Sequence, residues 1–192
     1  MIAIIKYNAG NIQSVQNALK RLGVESVITD DKTTILNADK VIFPGVGEAS
    51  SAMNYLKKRG LDEVIRSIKQ PFLGVCLGLQ LMCKYSEEGN TDCLGIFNTR
   101  VKLFPPNLKV PHIGWNSFNR SEGKLFKGIE ASEDFYFVHS YYAELCEETI
   151  AVTDYIKPMS AALQKNNFYA TQFHPEKSAS IGEKLLKNFI EL

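Results

Sequence analysis

The sequence predicts an α/β fold: a mostly parallel central sheet flanked by helices in its first half, with mixed or antiparallel strands added in the second. Three observations predict it. Short apolar, β-branched runs alternate with segments of helical period through the first 85 residues or so. The two sharpest glycine loops, Pro44 to Gly47 and Cys76 to Gly78, each follow such a run. After Gly89 the pattern changes to short strand-like pieces separated by turns.

Ile2 to Lys6 is an apolar run that ends in Tyr7-Asn8-Ala9-Gly10-Asn11. Ile12, Val15, Leu19 and Leu22 then stand at helical spacing, and Gly23 is a good helix stop. Val24 to Ile28 is β-branched, which completes β-α-β and implies a parallel pair with a right-handed crossover. Lys40 to Phe43 reads as a buried strand running into Pro44-Gly45-Val46-Gly47. Glu48 to Ile68 is helical with a break at Gly60, Gln70 to Val75 is another strand, and Leu77 to Tyr85 is helix-like. In the second half, strands are expected at Arg100 to Leu103, Phe135 to Val138, Ile150 to Thr153, Ser160 to Leu163 and Tyr169 to Phe173. An amphipathic helix is expected from Ile181 to Ile190.

The 192 residues favour one domain, 1–192, with a sizeable core. Twenty-two Lys and Arg against 21 Asp and Glu leave no field to hold nucleic acid or an anionic membrane. The apolar stretch at the N-terminus is too short for a signal peptide or a membrane span. The cysteines, Cys76, Cys83, Cys93 and Cys146, form no CxxC pair and no zinc-ligand spacing, so no metal or other cofactor is implied. A reducing, cytoplasmic location is the expectation.

Gly74-Val75-Cys76-Leu77-Gly78 puts a cysteine between two glycines at a predicted strand-to-helix turn, the geometry of a nucleophile elbow. The helix N-terminus favours thiolate, and the N–H of Leu77 is placed to donate to an oxyanion. The competing reading is a buried core cysteine between small residues. Cys83 falls on the following helix and reads as core. Of three histidines, His174 in Phe173-His174-Pro175-Glu176 is the candidate base. Residues two apart on a strand point to one face, so His174 and Glu176 project together while Pro175 points away, and the carboxylate orients the imidazole. His112 and His139 lack a carboxylate two residues away and suit structural or binding-loop roles. The Pro44–Gly47 loop is either a plain turn or the second half of an oxyanion hole, through an N–H of Val46 or Gly47.

PGVG, GVCLGLQ and FHPEKS, in that order and spacing, resemble the class I (triad) glutamine amidotransferases along essentially the whole chain. Within that family, YNAGN, PHIGWN at 111–116, FVHSYY at 137–142 and Lys177-Ser178 resemble the glutaminase subunits of imidazole glycerol phosphate synthases. The resemblance implies a flavodoxin-like core and a γ-glutamyl thioester on Cys76, with His174 protonating the departing ammonia. It implies that Gln80, Glu88, Gly47, Ser140 and Tyr141 hold glutamine. It implies docking on a (β/α)8-barrel cyclase as a heterodimer, through Asn11, Trp115 and Asn116, with Tyr136 and Lys177 as a hinge or anchor. Lys6 stands where members of the family commonly carry Asp. The same chemistry also serves surface-sugar amidation and pyridoxal phosphate synthesis in related glutaminases, and Trp115 favours the histidine-pathway branch over the pyridoxal one.

Overall fold

The computed structural model describes residues 1–7 and 10–192; Asn8 and Ala9 of the YNAGN motif lie outside the described residues. The elements run β1 (Ile2–Ile5), α1 (Ile12–Arg21), β2 (Ser26–Thr29), α2 (Lys32–Asn37), β3 (Lys40–Gly45), α3 (Ala49–Arg59) and α4 (Leu61–Ser67). They continue with β4 (Phe72–Cys76), α5 (Leu77–Met82), β5 (Tyr85–Ser86), β6 (Thr91–Asp92), β7 (Arg100–Leu103), β8 (His112–Asn116) and β9 (Arg120–Ser121). The chain ends with β10 (Phe135–His139), β11 (Tyr141–Ala143), β12 (Thr149–Tyr155), β13 (Lys157–Lys165), β14 (Phe168–Thr171) and α6 (Ala179–Ile190).

Eight strands form the main sheet in the order β2-β1-β3-β4-β14-β13-β12-β9. The first five are mutually parallel, and β13, β12 and β9 extend the sheet antiparallel. Purely apolar β1 and β4 are buried on both faces, as a parallel sheet covered by helices requires. One core cluster packs the α3, α4 and α5 side, and the other packs α1 and α6 with the aromatic group Phe118, Phe135, Phe137 and Phe173. Two small sheets, β10-β8 and β11-β7-β5-β6, sit beyond the main one. Among the described residues no helix is long and apolar enough to cross a membrane.

The expected break at Gly60 separates α3 from α4, with Gly60 at φ 61° capping one and opening the other. Two expectations need correction. The helix after the elbow stops at Met82 rather than reaching Tyr85, because the Cys83 backbone turns extended and Tyr85 joins β5. The last parallel strand ends at Thr171, so His174 lies beyond it, and Glu176 sits in a one-turn 3-10 helix, Pro175–Lys177. Proline has no N–H for a strand ladder and its fixed φ opens the turn. It is therefore a tight turn, and not strand alternation, that sets Glu176 against His174.

Candidate active site

The carboxyl ends of β3, β4 and β14 meet at one place. Gly45 of β3 is paired with Cys76 of β4, and Thr171 of β14 with Val75. Cys76 has φ 54°, ψ −105°, a positive φ that a side chain tolerates only where surrounding structure imposes it. The flanking glycines make this turn possible. A Cβ on Gly78 would lie 1.9 Å from the Phe43 carbonyl oxygen, and one on Gly74 would lie 2.4 Å from the Met82 sulfur. Both absences let α5 press against β3 and β4, so the sulfur emerges at the start of α5. A Cβ on Gly45 would lie 1.8 Å from the Tyr7 hydroxyl, which is buried beside the site with no partner among the described residues.

His174 is fully buried, and its Nδ1 lies 2.8 Å from Glu176 Oε1. The Glu176 carboxylate fixes Nδ1 as the protonated nitrogen and leaves Nε2 for the sulfur. Nε2 has no well-aligned hydrogen bond. Burial opposes charge on the ring, but the neighbouring Cys76 and the Glu176 carboxylate outweigh burial and raise His174 to about 10. The ring is therefore held as imidazolium beside the sulfur. Asn11, whose side chain was expected at a docking face, donates through Nδ2 to Glu176 Oε1. It caps α1 in a left-handed conformation, φ 69°.

A cleft of about 170 Å³ opens on the sulfur, and Val46, Gly47, Cys76, Leu77, Gln80, Glu88, Ser140 and Tyr141 line it. Each of these was singled out from the sequence. Val138 and His139 line it as well and were not expected there. His139 Nδ1–H donates to the Tyr141 carbonyl at 2.7 Å, and its Nε2 lies 3.1 Å from His112 Nδ1. Burial, chiefly, lowers His139 to about 3 and His112 to about 4, so both are neutral props under the cleft wall. Glu88 Oε2 accepts from the Ala49 N–H at 2.8 Å at the start of α3; burial raises its carboxyl, against that bond. Gly47 has φ 135°, and the Val46 carbonyl accepts from the Gly10 N–H at 3.2 Å. In a trans peptide the Gly47 N–H points to the opposite side from that bond.

Sequence reasoning passed over Gln172. It is fully buried, its Nε2 is 3.7 Å from the Cys76 sulfur, and its Oε1 accepts from Gln80 Nε2 at 3.1 Å. It follows Thr171 in the run Tyr169 to Phe173, and a buried polar residue near a strand end has no spacing signature.

Three of the five expected docking residues, Trp115, Asn116 and Tyr136, lie on β8 and β10; Asn11 and Lys177 do not. Trp115 and Ile113 are each 54% exposed on one face of β8. Tyr136 stands opposite Trp115 in the ladder, with ring centroids 5.9 Å apart. Asn116 Nδ2 donates to the Asp154 carbonyl at 3.0 Å. Lys177 and Lys6 are exposed. Among the described residues no group of three or more His, Cys, Asp or Glu side chains is arranged to hold a metal, and all four cysteines are unpaired.

The family model described as glutamine amidotransferase class-I matches residues 3–192. The chain is 62% identical to the imidazole glycerol phosphate synthase subunit HisH of Bacteroides fragilis over 194 residues, covering all of this chain and 99% of that protein. It is 60% identical to the HisH subunit of Bacteroides thetaiotaomicron and 43% to that of Vibrio parahaemolyticus, covering 100% of this chain and 99% and 98% of those proteins. Among solved structures, one titled a glutamine amidotransferase superimposes with a TM-score of 0.77 at 19% identity, covering 100% of this chain and 98% of that one. PurLQS from Thermotoga maritima superimposes with a TM-score of 0.72 at 14% identity, covering 99% and 97%. At those identities the solved structures speak for the fold alone.

Proposed function

The chain belongs to the class I glutamine amidotransferases, and from that premise we propose that it is the glutaminase subunit of an imidazole glycerol phosphate synthase, acting as one domain through Cys76, His174 and Glu176. The full-length identity of 60–62% to such subunits supports the pathway. The observation that carries the chemistry is the Glu176–His174 contact of 2.8 Å, which leaves Nε2 without a partner on a ring that the neighbouring Cys76 acts on.

In this reading glutamine enters the cleft with its amide carbon over the Cys76 sulfur. The thiolate attacks that carbon, and the carbonyl oxygen becomes an oxyanion. The N–H of Leu77, with that of Val46 or Gly47, receives the charge; one such donor contributes roughly 3 kcal/mol of transition-state stabilisation. The His174 imidazolium gives its Nε2 proton to the amide nitrogen, the C–N bond breaks, and ammonia leaves. His174 then takes a proton from water, which attacks the γ-glutamyl thioester and releases glutamate and the thiolate. Glu176 holds the ring tautomer through both steps. Glu88, Gln80 and the Ser140-Tyr141 backbone hold the amino-acid end of the substrate. Ammonia passes to a cyclase of (β/α)8-barrel fold docked on the Trp115 face, which makes imidazole glycerol phosphate for histidine biosynthesis. Four unpaired thiols suit a cytoplasmic location.

The test is glutamine turnover with and without the cyclase and its nucleotide substrate. Turnover rises when both are present, and Cys76→Ala abolishes glutamine-dependent cyclisation while cyclisation driven by added ammonium salt persists. Unchanged glutamine hydrolysis in Cys76→Ala, or no cyclisation with the cyclase, removes the reading.

A further inference from the structure

Gln172 makes two contacts that fix how its amide lies. Gln80 Nε2 is 2.9 Å from the Tyr141 carbonyl oxygen, which only accepts, so the nitrogen of Gln80 is assigned by its partner. The same nitrogen is 3.1 Å from Gln172 Oε1, which must then be the oxygen end. The nitrogen end of Gln172 is left at 3.7 Å from the Cys76 sulfur. Reversing Gln172 would put two NH2 groups against each other and an oxygen against the sulfur. The backbone holds the residue as well, with the Gln172 N–H donating to the Ala161 carbonyl at 2.8 Å.

We propose that Gln172 is a further catalytic residue: its side-chain amide donates to the sulfur of Cys76 and holds the attacking thiolate, in an orientation set by Gln80. This rests on the glutaminase reading above. A buried amide donor has no water to replace its partner, and a donor to an ionised acceptor is stronger than one to a neutral acceptor. The sulfur is the one acceptor that the Gln172 nitrogen reaches among the described residues. The chain Tyr141–Gln80–Gln172–Cys76 also ties a cleft-lining glutamine to the nucleophile, so substrate contact at Gln80 bears on the sulfur.

Other ionisable groups face the sulfur from the elements around it: Tyr7 after β1, His139 at the end of β10, Glu88 on the cleft wall, and His174 with Glu176 after β14. The test leaves all of them in place. Alkylation of Cys76 by iodoacetamide is followed by mass spectrometry across pH 5 to 9, in the full chain and in its complex with the cyclase. The remaining thiols do not compete, because burial raises Cys83, Cys93 and Cys146. Gln172→Met removes the donor at similar volume, and Gln172→Glu sets a carboxylate against the sulfur. Both move the alkylation profile up by about one pH unit, with a roughly tenfold slower rate at neutral pH, and Gln172→Glu moves it further. Profiles that superimpose on the wild type overturn the inference. The wild type supplies a readout that needs no variant to fold: the Gln172 side-chain amide protons shift in NMR with the same midpoint as alkylation, and shifts that stay constant overturn it too. If a glutamine-analogue electrophile fails to label wild-type Cys76 at all, the glutaminase reading is what fails.

Discussion

The backbone N–H of His174 donates to the carbonyl of Tyr136 at 2.9 Å. Tyr136 pairs in the ladder with exposed Trp115, so His174 hangs from the same two-stranded ladder that presents the Trp115 indole to solvent. Ser178 ties the two together again. Its Oγ donates to the His174 carbonyl at 2.6 Å and accepts from the Tyr136 N–H at 3.0 Å.

Ser178→Ala strands the Tyr136 N–H in a buried place, since Ser178 is itself fully buried, and leaves the His174 carbonyl with the Lys177 N–H alone. Leaving a buried donor or acceptor unpaired costs about 1–3 kcal/mol. The expected result is a lower melting temperature together with a lower kcat for glutamine, because the strap that positions His174 is lost. A melting temperature that falls with kcat unchanged would show that Ser178 serves the fold alone.

Trp115→Ala acts on the other end of this connection. An indole half in solvent, with Ile113 beside it, has the make-up of a binding anchor. Its loss weakens cyclase binding by about 2 kcal/mol or more, read as a rise in Kd by calorimetry. The melting temperature of the isolated chain hardly moves, since only the contact with Tyr136 is given up. Unchanged affinity would place the docking face elsewhere.

Gly78→Ala tests the elbow without touching a reacting atom. The new methyl would sit 1.9 Å from the Phe43 carbonyl oxygen, which is backbone and has little room to yield. Helix α5 must shift, carrying the Leu77 N–H and Gln80 with it. Overpacking of this kind costs about 1–3 kcal/mol. Glutaminase activity should fall by more than stability does, and a variant of full activity would show that the elbow tolerates displacement.

Much of this was legible before any coordinates. Gly74, Gly78 and Gly60 announced close approach and a helix break because glycine has a local physical meaning. The parallel strands were legible because a doubly covered sheet leaves continuous apolar runs such as Ile2 to Ile5. The short elements were not: β5, β6 and β9 have two residues each, too few to show any period. Nor was the hold of Asn11 on Glu176, which joins positions 165 apart in the chain. The turn at Pro175 was misread because a strand and a 3-10 turn both bring residues two apart near one another, and only the partners of the backbone decide between them.

The buried pair His112 and His139 makes stability depend on pH in a window where little else titrates. Burial lowers both below the ordinary histidine value of 6.5, to about 4 and about 3. The unfolded chain therefore binds protons near pH 6 that the folded chain refuses. The stability this pair contributes is full above about 6.5 and falls as pH drops toward 4, with a slope approaching two protons, roughly 2.7 kcal/mol per pH unit at the steepest. His174, raised to about 10, carries the opposite sign: its contribution is full well below 6.5, is lost as pH rises from there toward 10, and takes little from the slope below pH 6. Thermal melts between pH 7 and 5 should show the decline. In His112→Gln, whose amide still reaches the His139 ring, the slope should fall to about half. A wild-type melting temperature flat from pH 7 to 5 would mean that the pair takes up its protons in the folded state, and that the wall of the cleft beneath Tyr141 is wetter than its 2.7 Å bond to His139 implies.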